Sequence, residues 1–139
     1  MSSTQPHAQQ DTQLTALRGN CMGAGVLIII QFALGASVNL YVTVPKHKGF
    51  LSAVFGSATL AAHAIVALLV LATAIAAVVR AIRARRAITL TSVGLAAVLF
   101  AAASGSGFVG DQSNGSSLGM ALAAAVAMFC YLDAVFRLR

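Results

Sequence analysis

Four long apolar runs separated by short polar breaks dominate the chain. The first extends from about Asn20 to Val44 and stops at Pro45. The second extends from about Ala53 to Val79 and stops at the basic cluster R-A-I-R-A-R-R, residues 80–86. The third starts near Ala87 and fades at S-G-S-G around Ser104, and the fourth runs from about Ser116 to Phe136, just before Arg137 and Arg139. An α-helix needs roughly 17–25 apolar residues to cross the hydrocarbon of a bilayer, and each run meets that length. The pattern predicts an all-α fold, a four-transmembrane-helix bundle built from residues 19–139 with spans at about 20–44, 53–79, 87–104 and 116–136. Residues 1–18, rich in Ser, Thr and Gln, lack a core-forming pattern and are expected to form a flexible polar segment.

Composition excludes the soluble classes. Of 139 residues, 59% are hydrophobic and 9% charged, against roughly a quarter charged in a typical soluble domain. A soluble protein of this length has no interior large enough for so much apolar surface. Bilayer is the solvent that suits it.

Net charge is +6 and the pI about 10.4. The basic residues stand at the ends of apolar runs and form no soluble basic face, so nucleic acid is not the expected partner. They do set an orientation. An even number of spans places both termini on one side, with Arg18, Arg80, Arg83, Arg85, Arg86, Arg137 and Arg139; the other side holds Lys46 and Lys48. The positive-inside rule then puts both termini in the cytoplasm of a multi-pass cell-membrane protein. Arg80, Arg83, Arg85 and Arg86 are the expected contacts for anionic headgroups. A cleaved signal peptide is the rival for the first run, but that run exceeds a signal's usual 7–15 apolar residues. Tyr41, Phe50, Phe55 and Phe108 are expected at the outer interface, and Phe129, Tyr131 and Phe136 at the inner one.

Helices in lipid associate through close packing and hydrogen bonds. Gly115, Gly119, Ala123 and Ala127 recur at a four-residue step and predict a shallow packing groove, with a homo-oligomer seam as one use. Gly19 and Gly23 do the same at the inner end of the first span. Cys21 and Cys130 sit in apolar context and read as buried thiols. Asp133 and Arg137, four residues apart, read as an ion pair. The stretch 104–119 reads as the longest loop, a flexible outer connection.

The polar residues inside the spans are the candidate site. Gln31, Gly35 and Asn39 are spaced i, i+4, i+8 on the first span; Ser52, Gly56, Thr59 and His63 line up similarly on the second. Counting depth from the outer ends, His63 falls between the two amides, so the two faces are expected to meet with His63 bonded to Gln31 or Asn39. The economical reading is interhelical glue. A second is an outward-facing polar vestibule lined by Asn39, Thr59 and His63, holding a small polar ligand or relaying protons. A third is haem ligation through His63, with Met128 as the available axial partner. No nucleophile–base set, paired carboxylates or metal cluster is present, and neither a resident cofactor nor catalysis is expected.

The residues Q31-F-x-L-G-x-x-x-N39-L, the His63-bearing span, and G107-F-x-G followed by S116-S-x-x-M-A are together similar to a group of small, functionally uncharacterised four-span integral membrane proteins of high-GC Gram-positive bacteria. The resemblance covers most of residues 20–136. It implies the four-span fold and no activity, and it carries no functional residue to this chain. Relatives tend to have G-F-N-G in the outer connection, where this chain has Val109. The expected function is a non-enzymatic structural or accessory membrane subunit, alone, as a homo-oligomer or in a larger complex. A small channel or transporter through the vestibule is the alternative.

Overall fold

A computed structural model describes residues 5–42, 50–111 and 113–139, with the side chains of residues 5–8, 50, 110 and 111 outside the description. The expected stop at Pro45 and the turn Lys46-His47-Lys48 lie outside the described residues. The helices are α1 (Gln5–Tyr41), α2 (Phe50–Phe55), α3 (Ala58–Ala84), α4 (Ile88–Asp111) and α5 (Asn114–Arg137). All but α2 are long and apolar enough to cross a membrane. The all-α four-helix expectation holds, and no strand occurs among the described residues.

The long helices form a ring. α1 packs on α3 and α5, α4 packs on α3 and α5, and the diagonal pairs make no backbone approach within 8 Å among the described residues. The short connections after α3 and after α4 leave α3, α4 and α5 successive antiparallel neighbours. Buried positions recur at alternating three- and four-residue steps: Leu17, Cys21, Ala24, Ile28 and Val38 on α1, and Leu60, Val70, Ala74, Ala77 and Ala81 on α3. That is the seam of left-handed helix packing. Its alanines let the backbones come close, which is what holds helices together in lipid. The opposite faces carry exposed Ile29, Phe32, Leu68, Phe100 and Phe129, an apolar exterior fitted to acyl chains and far beyond what a water-soluble surface tolerates.

Several expected boundaries are corrected. Residues 5–18 are not a separate flexible segment; they extend α1, and Leu17 is fully buried in the main core. An Ala-, Gln- and Leu-containing stretch joined to an existing helix pays no nucleation cost, so it continues helical. The second span is broken. α2 ends at Phe55, and Ser57 caps α3 with its hydroxyl accepting from Leu60 N–H. Ser52 and Gly56 therefore do not share a helix face with His63. α2 instead closes the far end of the ring, burying Ala53 against Val38 and Leu60.

The expected 104–119 loop is mostly helix. α4 runs through Asp111 and α5 starts at Asn114, capped by Ser113 accepting from Ser116 N–H at 3.1 Å. Inside a bilayer a Gly/Ser-rich stretch gains no water to satisfy its backbone, so helix wins. Gly119 opposes Ser104 of α4, and Ala123 and Ala127 are buried, so the small-residue stripe of α5 is used within the chain. Gly19 and Gly23 face open space.

At the opposite end, α3 stops with Arg85 in the left-handed region (φ 52°). Arg85 N–H donates to Ile82 C=O and Arg86 N–H to Ala81 C=O, a two-bond helix stop of the Schellman type. Ala87 follows at φ 55°. Arg80 and Arg83 lie on the helix and Arg85 and Arg86 in the turn, all four exposed.

Candidate functional site

The α1 seam that carries Leu17 to Ile28 continues through Gln31 and Gly35 to Val38, and the α3 seam continues through His63 to Leu60. Gln31 and His63 therefore meet where the two seams face each other, in the second turn of α3. Gln31 Nε2 lies 3.0 Å from His63 Nε2. With the amide nitrogen donating, His63 Nε2 accepts and the ring proton sits on Nδ1. Gly35 makes the fit possible: a Cβ there would lie 3.0 Å from His63 Cε1. The expected meeting of Gln31, Gly35 and His63 is found.

Asn39 is not part of it. Eight residues on from Gln31, it is rotated by about 80° around the helix, and its side chain is exposed. Val38, seven residues from Gln31, takes the inward position instead. Thr59 is half-buried at the start of α3, a turn away from His63. The vestibule imagined around Asn39, Thr59 and His63 is thus not assembled as a three-residue wall.

Two further bonds join the same helix pair, and neither was foreseen. Asn20 Nδ2 donates to Thr73 C=O at 2.8 Å, and Arg80 Nη1 donates to Ala16 C=O at 3.0 Å. Together with Gln31–His63 they stitch α1 to α3 at three levels in one antiparallel register. The signal for Asn20 was an amide just inside the first apolar run. Arg80, expected as a headgroup contact, bonds Ala16 because α1 extends as helix through residues 5–18. Protein-family models, curated proteins and solved structures give no match to the chain.

Some polar capacity is left over. Gln31 Oε1 and His63 Nδ1 are buried without a partner among the described residues, so the pair keeps one acceptor and one donor. Tyr131 was expected at an interface and is instead fully buried, its hydroxyl also unpartnered. It fills the space left by Gly94 and the small residues of the core. Cys21 and Cys130 are free and buried, as read. Asp133 and Arg137 form the expected ion pair at 3.0 Å.

The His63–Met128 pair that a haem would use does not converge. His63 turns to α1, while Met128 on the diagonal helix α5 lines an outward apolar groove with Ile28 and Phe32. Among the described residues no three His, Cys, Asp or Glu side chains cluster as metal ligands.

Proposed function

We propose that the protein is a non-catalytic integral membrane subunit of the cell membrane, with both termini cytoplasmic, that works by lateral association as an accessory or homo-oligomeric component. The observation that carries this reading is the use made of the polar side chains in the first spans. Asn20, Gln31, His63 and Arg80 are all engaged between α1 and α3, which makes them helix staples; in lipid such contacts stabilise by about 0.6–2 kcal/mol each. The long apolar faces outside the ring are what remains for partners and lipid.

Mild solubilisation of native membranes containing the N-terminally tagged protein, followed by size analysis with mass spectrometry, tests the proposal. A stoichiometric membrane partner or a defined homo-oligomer is expected. A monomer that supports saturable solute flux in proteoliposomes would overturn it. A small channel or transporter is the second reading, and the buried, unpartnered Gln31 Oε1 and His63 Nδ1 favour it. Under that reading Thr59→Cys reacts with a membrane-impermeant thiol reagent added outside; under the subunit reading it is protected.

A further inference from the structure

Two concave features are not used by the α1–α3 staples. One is an apolar groove of about 280 Å³ lined by Ile28, Ile29, Phe32, Ala124, Ala125 and Met128. The other, at the end bearing the termini, is a cavity of about 130 Å³ lined by Leu14, Leu138, Arg86, Arg137 and Arg139. The groove lies between α1 and α5; the cavity lies at the end of the bundle, where Leu14 of α1, Arg86 of the α3–α4 turn and the residues at the end of α5 meet. Between them the α1–α5 seam is closed: Gly25 is buried, and a Cβ there would lie 3.8 Å from the end of Leu132.

The separation of the two features matches one half of a bilayer. Leu14 and Ile28 are fourteen residues apart on α1, which is about 21 Å at about 1.5 Å per residue. Half of the hydrocarbon core is about 15 Å, and the headgroup layer adds about 5–7 Å on each side. The basic cavity therefore stands at phosphate depth when the apolar groove stands at the midplane.

We propose that the cavity and the groove together bind one anionic phospholipid of the leaflet on the terminal side, its phosphate held by Arg86 and Arg139 and an acyl chain lying over the exposed face of Leu132 into the Ile28–Met128 groove. Three guanidinium groups from two different segments converge on the cavity, and a phosphate is the anion that bidentate arginine contacts fit. Arg137 is partly committed to Asp133. Arg139 is steadied by stacking on Phe136, 4.8 Å from the ring centre, which leaves it and Arg86 as the principal phosphate contacts. The site goes beyond bulk attraction between an arginine-rich turn and a charged surface, because it specifies a headgroup charge, a depth and a chain path. It depends on the chain spanning a bilayer and not on the subunit reading.

The test is native mass spectrometry of the N-terminally tagged full chain, offered equal amounts of phosphatidylglycerol and phosphatidylcholine with identical acyl chains. The expected result is retention of phosphatidylglycerol over phosphatidylcholine by at least about fivefold, the worth of one arginine near a charged headgroup. The Arg86→Gln/Arg139→Gln double variant, which leaves the Asp133–Arg137 pair intact, removes the preference. Ala125→Phe, which fills the groove, lowers retention of both lipids. Equal retention of the two lipids by the unaltered protein would overturn the proposal, as would a preference that survives the double variant. So would a dimer that Ala125→Phe dissociates, because the groove would then belong to a second copy. Equal protection by glycerol phosphate alone would assign the cavity to a soluble anion.

Discussion

Gly94 on α4 faces the ring of Tyr131 on α5 so closely that a Cβ on Gly94 would lie 2.9 Å from Tyr131 Cζ. The tyrosine is fully buried. It is the largest fully buried side chain of the core, and at Gly94 the facing helix is reduced to bare backbone to admit it. Gly94→Ala should lower thermal stability in detergent by about 1–3 kcal/mol, the usual cost of overpacking. Tyr131→Phe should not. Its hydroxyl is unpartnered, and removing an unsatisfied buried polar group is neutral or stabilising. Melting curves of the two variants check this directly.

Gly35 is crowded in the same way: a Cβ there would lie 3.0 Å from His63 Cε1. Gly35→Ala is expected to push the imidazole away from Gln31 and to destabilise the protein. Made in a His63→Ala background, the same substitution should cost little, because the clash has gone. A Gly35→Ala penalty that is unchanged in that background would mean that the crowding involves some other neighbour.

The α3–α4 turn holds Arg85 and Ala87 at φ 52° and 55°, where a Cβ costs about 1–2 kcal/mol. Ala87→Gly removes that cost while keeping every charge in the turn, and part of the gain is lost to the greater freedom of the unfolded chain. The expected result is a net stabilisation of about 0.5–1 kcal/mol by thermal or denaturant unfolding in detergent. A loss of stability would show that the turn is not strained there.

How far the sequence could be read follows from these residues. Four spans were legible because the apolar runs are long and the breaks are charged. The Gln31–Gly35–His63 meeting was legible because Gly35 lies one turn from Gln31 and the depth of His63 falls in between. Asn39 was placed wrongly because an eight-residue step looks periodic yet turns the side chain off the face. The glycines and serines of residues 104–119 point to a loop, a cue that holds in water and fails where every backbone amide must find an internal partner. Tyr131 resembled an interface aromatic. Only the position of Gly94 on the neighbouring helix reveals that it is core, and nothing local in sequence links the two.

The central claim is that Gln31 and His63 act as one staple between α1 and α3, and a double-mutant cycle measures it. Gln31→Leu, His63→Leu and the double variant would be unfolded in the same detergent. Each single change strands a buried polar partner, so each should destabilise, while the double variant should recover part of the loss. The predicted coupling is about 0.6–1.7 kcal/mol, the range for hydrogen-bonded pairs between membrane helices. Strictly additive single-variant effects, with no coupling, would contradict the account.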